Sequence, residues 1–222
     1  MSAEQTRKLI VLSAIWVLLI FAPYWMAPLG GYTALATRVL VLGLAAMSVN
    51  FLLGFTGVLS FGHAAYFGLG AYGTGLALKF LAPSTPLALV LGMLLGGVCG
   101  ALLGMLIVRR RGVYFAMVTI AIGQVVYYIA FQWSSLTGGD DGLRGFSRQP
   151  IDFGLFKLDI LSNANNFYYF VLFCFALAVG VMGFILQSPF GRTMIAIREN
   201  ERRARFLGIP VERHIWIAFT MS

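Results

Sequence analysis

Charge is scarce in this 222-residue chain: only 11% of residues are charged, 16 of them basic and 8 acidic. Soluble domains carry about a quarter of their residues charged. A soluble enzyme, a disordered tail and a nucleic-acid module are therefore excluded as the main identity. Residues 9–133 contain no Asp or Glu at all, so that stretch lacks the intramembrane carboxylates that couple secondary carriers to ions. The only lysines are Lys8, Lys79 and Lys157, and none follows a glycine-rich loop, so there is no phosphate-binding P-loop. Two isolated histidines and two cysteines match no known zinc spacing. Ser60 and His63 have no acid nearby to orient them as a hydrolytic pair. Cys99 and Cys174 both fall in apolar stretches and are expected to be buried free thiols, unless their helices meet and allow a disulfide.

Hydrophobic residues make up 59% of the chain, and uncharged runs cover 9–37, 39–78, 80–108, 112–139 and 160–191. A membrane-spanning helix needs about 20 apolar residues, so each run holds at least one span. A transmembrane barrel would alternate apolar and polar residues in segments of about ten, which Leu9–Ala22 and Phe167–Leu186 do not. The fold class is an all-α polytopic membrane protein. Expected spans are 9–29, 33–53, 64–82, 86–108, 113–133 and 167–187, with a seventh opening near Ile215 and cut off at Ser222. That cut predicts a single truncated transmembrane domain over 1–222. Arg7-Lys8 ahead of an apolar run also fits a signal peptide, but no small-x-small cleavage site follows, so an uncleaved first helix is expected.

With the N-terminus inside, Arg7, Lys8, Arg109, Arg110, Arg111 and the six arginines of 192–213 share the cytoplasmic side. The 134–166 loop then lies outside, with Arg38 and Lys79 snorkelling at the outer interface. Gly92, Gly96, Gly100 and Gly104 recur every four residues, a ridge that lets helices approach closely in lipid.

Three segments are candidates for function. Gly54–Gly73 places four glycines in its first fifteen positions and carries Ser60, Phe61, His63, Tyr66 and Tyr72, with Asn50 just before it. Broken backbone lining a cavity and a turn leading into a glycine-packed helix both fit it. The outer loop Thr137-Gly138-Gly139-Asp140-Asp141-Gly142 reads as a solvated turn or as a contact for substrate or an extracytoplasmic partner; as a calcium loop its spacing is poor. Segment 188–210 reads as one capped amphipathic helix. Ser188 is its N-cap, Pro189 its first residue, and Leu207-Gly208-Ile209-Pro210 its stop. Glu199–Arg203 and Glu201–Arg205 are spaced as i,i+4 pairs, and Met194, Ile195, Ile197, Phe206 and Leu207 form the apolar face. An interfacial helix on anionic lipid, a topology anchor and a docking element for a cytoplasmic partner all fit this segment.

Together, Leu59–Tyr72, Thr137–Gly142, Gly191-Arg192, Ala196–Glu201 and Leu207-Gly208-Ile209 resemble, in order and over essentially the whole chain, the LivM-type permeases of branched-chain amino-acid ABC importers. The resemblance implies a multi-pass protein of the bacterial inner membrane that pairs with a LivH-type permease, two cytoplasmic ATP-binding subunits and a periplasmic substrate-binding protein. No cofactor is expected in this chain, with ATP and Mg held by the partner ATPases, and no nucleic acid is involved. Gly191, Arg192, Ala196, Arg198, Glu199, Asn200, Ala204 and Gly208 would then belong to the cytoplasmic coupling loop. Where such importers often carry Glu-Ala-Ala, this chain has Arg202-Arg203-Ala204. The resemblance implies inward movement of branched-chain amino acids, or of a related urea, amide or aromatic acid, by ATP-driven alternating access. A gradient-driven carrier and a structural membrane subunit are the alternatives.

Overall fold

The structure is a computed structural model describing residues 3–26, 32–81, 84–145, 151–152, 157–158 and 163–222. It is helical apart from one antiparallel pairing of β1 (Ile151–Asp152) with β2 (Lys157–Leu158), with Ile151 opposite Leu158. The helices are α1 (Ala3–Ile20), α2 (Ala22–Met26), α3 (Thr33–Thr56), α4 (His63–Phe80), α5 (Thr85–Ile107), α6 (Val113–Gln132), α7 (Ser134–Thr137), α8 (Ala164–Gln187), α9 (Pro189–Glu199), α10 (Glu201–Phe206) and α11 (Val211–Met221). Among the described residues four helices are long and apolar enough to cross a membrane: α3, α5, α6 and α8. Parts of the expected 9–29 and 64–82 spans, and of the 134–166 loop, fall outside the described residues.

The first expected span is not continuous, because α1 ends at Ile20 and α2 restarts after a turn at Phe21. Pro23 is the cause: it has no N–H to give the carbonyl four residues back, that of Leu19. In lipid an unpaired carbonyl is costly, and Tyr168 on α8 covers it, its hydroxyl donating to Leu19 O at 2.6 Å. Tyr169 does the same for Ile20 O at 3.2 Å. Around this repair Ala22, Ala36, Leu40, Tyr168 and Leu172 form one core.

The most extensive helix contact is α4 on α5, and it follows the glycine ridge. A Cβ at Gly92 would strike Thr74 Oγ1 and come within 2.7 Å of Gly70 O, while one at Gly96 would lie 3.5 Å from Gly70 Cα. Further down the ridge Gly104 accepts Phe219 and Trp216 of α11, and Trp216 Nε1 donates to Ala101 O at 2.8 Å. The ridge is a packing surface for two helices. The cysteines depart from expectation: Cys174 is exposed on α8 and Cys99 half-buried, both free. In an apolar span the medium around an outward thiol is lipid, so hydrophobicity alone did not require burial in protein.

Gly92→Leu is expected to prevent α4 from seating, since overpacking of a tight contact costs about 1–3 kcal/mol or more. Gly97→Leu, where nothing lies within 4 Å, is the control. Thermal stability of the detergent-solubilised proteins, read by tryptophan fluorescence, separates the two, and equal melting would refute the role given to the ridge.

Candidate functional site

Two cavities lie in series along α6. The first, of about 490 Å³, runs between α4 and α6 and is closed at one end by the loop after α7; Phe61, Gly68, Tyr72, Gln124, Tyr127 and Asp140 are among its walls. The fold thus brings together two segments that are far apart in sequence, the glycine-rich stretch and the outer loop. The loop is shaped by glycines: Gly138 (φ 83°), Gly139 (φ 59°) and Gly142 (φ 69°) take left-handed conformations open to them at little cost. Buried Thr137 pins it, donating to Trp133 O at 2.8 Å and to Ala130 O at 2.5 Å. Asp141 pairs with Arg144 at 2.8 Å on the open surface, whereas Asp140 lines the cavity.

Asn50, Ser60, His63 and Tyr66 do not line this cavity. Asn50 is exposed on α3. His63 and Tyr66 turn to α11, where His63 Nε2 meets Ser222 Oγ at 3.0 Å and both rings stand edge-on to Phe219. Ser60 Oγ, His63 Nδ1 and the Tyr66 hydroxyl are buried with no hydrogen-bond partner among the described residues. The segment itself is a turn followed by a helix: α3 stops at Gly57 (φ 72°), residues 58–62 are irregular, and α4 starts at His63.

The second cavity, of about 560 Å³, opens at the arginine-rich end, between the C-terminus of α3, the 110–112 turn and the α9–α10 region. Arg110, Arg111, Arg198 and Glu201 are its charged walls. Arg198 ties α9 to α3: its guanidinium donates to Gly54 O, and its side chain comes within 3.2 Å of where a Gly57 Cβ would be.

The 188–210 segment is two helices, not one. Ser188 caps α9 as expected, accepting from Gly191 N at 3.4 Å, and a Cβ at Gly191 would collide with the Leu186 carbonyl. At Asn200 the backbone becomes extended (φ −157°, ψ 96°), and the Asn200 side chain caps α10 through Arg203 N at 2.9 Å. Gly208 (φ 80°) ends α10 with both bonds of a Schellman turn, Ile209 N to Ala204 O at 3.1 Å and Gly208 N to Arg205 O at 2.9 Å. The break also corrects the apolar face. Met194, Ile197 and Ala204 are buried with Val211 and Ile215 nearby, whereas Phe206 is 90% exposed, Leu207 75%, and Ile195 faces outward too. A shallow hollow of about 240 Å³ gathers Ala196, Glu199, Asn200, Arg203, Ala204 and Leu207. Arg192 is exposed on α9 and lines none of these cavities.

One feature here had no local signal in the sequence. Glu201 accepts from Arg111 Nε at 2.9 Å and from Arg205 at 2.9 Å, and Arg205 also holds Glu212 at 2.7 Å. The cluster ties the α5–α6 turn, α10 and the start of α11 together. The Glu201–Arg205 spacing was legible, but Arg111 lies 90 residues from Glu201. Burial acts to raise the Glu212 carboxyl, but its backbone hydrogen bond and Arg205 outweigh it and hold the group below the usual carboxylate range. With the folded value depressed, this contribution to stability is present at neutral pH and is lost as pH falls through that folded value.

Arg111→Glu should destabilise the solubilised protein by about 1–3 kcal/mol, the cost of losing hydrogen bonds to a charged group and leaving like charges together. Adding Glu201→Arg should recover part of that loss. Melting temperatures of the two variants and the parent test this, and no recovery in the double variant would show that the ion pair is not what Arg111 contributes.

A family profile described as "Branched-chain amino acid transport system / permease component" matches residues 31–222. The chain is 26% identical, over 238 aligned positions, to the high-affinity branched-chain amino acid transport system permease protein LivM of Escherichia coli K12, and likewise to that of Salmonella typhimurium LT2. The alignment covers 99% of this chain and 55% of each relative, so the chain spans about half the length of the curated relatives it matches. No solved structure matches the chain.

Proposed function

The chain belongs to the family of permease components of branched-chain amino acid transport systems, and from that premise we propose that it forms one wall of an ATP-driven importer's membrane pathway. It is a multi-pass membrane protein and a transport subunit. In the proposed arrangement it sits in a bacterial inner membrane with its N-terminus in the cytoplasm, its spans being α1–α2, α3, α4, α5, α6, α8 and the beginning of α11. The family match supports a LivH-type second permease, two ATP-binding subunits and a periplasmic binding protein as partners, with ATP and Mg held by the ATPases. Branched-chain amino acids are the proposed solute. The 134–166 loop would be periplasmic and 188–214 the cytoplasmic coupling loop.

The observation that carries the coupling role is the form of α10. Its inner side is anchored by Ala204 and by the Arg111–Glu201–Arg205–Glu212 cluster, while Phe206 and Leu207 project outward beside Arg202 and Arg203. An exposed aromatic beside arginines, on a helix locked to the membrane helices, is suited to insert into a partner's groove and transmit rigid-body motion. The cavities between α4, α6 and the outer loop would give the solute its path, entering beside Tyr72 and Asp140 and leaving past Arg110 and Arg198.

Phe206→Ala in the full-length complex should weaken ATPase association by about 2 kcal/mol, roughly 30-fold, as for an aromatic anchor. Because the ring is exposed, the melting temperature of the permease should not move. Copurification in mild detergent together with ATP-driven uptake in proteoliposomes tests both expectations. Unchanged association and uptake would remove α10 as the docking element. A chain that transports without ATP or ATPase would overturn the importer reading itself.

A further inference from the structure

We infer that Phe61 is the barrier of the solute path, the side chain that separates the pool open to one face of the membrane from the pool open to the other. This inference rests on the proposed transport function and goes beyond it by naming one residue and the segment that carries it.

Phe61 lines both cavities. The first cavity takes its α6 walls from Ile120–Phe131 and the second from Val113, Phe115 and Ala116, so the two succeed each other along one helix. At their junction the ring is 58% exposed, although its neighbours Ser60 and Gly62 are both buried. An apolar ring shared by a chamber that carries Gln124 and Asp140 and a chamber that carries Arg110, Arg111 and Arg198 stands in the way of a polar solute passing between them, since hydrophobic constrictions gate by excluding water.

The backbone beneath the ring is tied to α6. Phe61 N donates to Thr119 Oγ1 at 3.2 Å, Thr119 is fully buried, and Gly62 lies so close that a Cβ there would come within 2.5 Å of the Thr119 carbonyl. The ring therefore moves by rotation about its own bonds, or with the whole 57–62 segment. That segment leads back to Gly57 and Gly54, which Arg198 of α9 holds. A displacement of α9 thus acts on the stretch of chain that bears Phe61, which joins the coupling loop to the barrier by direct contacts.

The test uses the full-length complex in proteoliposomes, with Cys99→Ala, Cys174→Ala and every other cysteine of the complex replaced as background. One cysteine is then introduced at a time, by Gly68→Cys in the first cavity or Ala116→Cys in the second. A charged, membrane-impermeant methanethiosulfonate is added from one side, without ATP. With Phe61 intact each site should be modified from one side only, and from opposite sides. Phe61→Ala should abolish that sidedness, while Phe61→Trp should retain it. Sidedness that persists in Phe61→Ala, or that is absent with Phe61 intact, overturns the inference. ATP-driven uptake by the background complex reports separately on the transport reading: if uptake is absent, that reading fails, whereas uptake present with sidedness unaffected by Phe61→Ala removes only the barrier.

Discussion

Where α4 lies on α5, Gly70 and Gly73 face Gly92 and Gly96, and the two backbones come close together. In a bilayer apolar side chains gain little by leaving lipid for protein, so helix association rests on close van der Waals contact. The rest of the arrangement follows from that proximity. Seating α4 on the Gly92–Gly96 part of the ridge leaves the Gly104 end free for Phe219 and Trp216 of α11. It also turns the opposite side of α4, with Gly68 and Tyr72, toward α6, and the first cavity forms between them.

A second constraint is that broken backbone must be satisfied inside the protein. The chain meets it in two ways. At the α1–α2 break, hydroxyls from α8 take over the Leu19 carbonyl that Pro23 leaves open and the Ile20 carbonyl beside it. At residues 57–62 the irregular stretch is held by the Thr119 hydroxyl and, at its entrance, by Arg198 on the Gly54 carbonyl. Arg198 thereby joins structural repair to a contact between the loop region and the membrane helices.

Local signals were read well from the sequence. The Ser188 cap, the Gly208 stop and the glycine ridge each depend on residues within a turn or two of one another. The Asn200 break carries no comparable local signal, because the stretches on both sides of it favour helix. An interruption resets the 100° phase, so Phe206 and Leu207 do not share one apolar face with Met194 and Ile197 but project outward from the end of α10. The α1–α2 break was also signalled, by Pro23 itself, but apolar composition took precedence over it. Contacts such as Arg111 with Glu201, or Tyr72 and Asp140 around one cavity, join residues with no periodic relation. No local pattern in one chain encodes them.

The bond from Trp216 to the Ala101 carbonyl joins residues 115 positions apart, and this sets an order of events during biogenesis. At about 5–20 residues per second, a ribosome takes on the order of ten seconds to travel from one to the other. Through that interval the Gly104 end of α5 has left the ribosome without the helix that covers it. Lipid, the insertion machinery or a neighbouring chain must occupy the ridge meanwhile. Seating α11 is then a displacement reaction, and the ion cluster at the arginine-rich end closes with it.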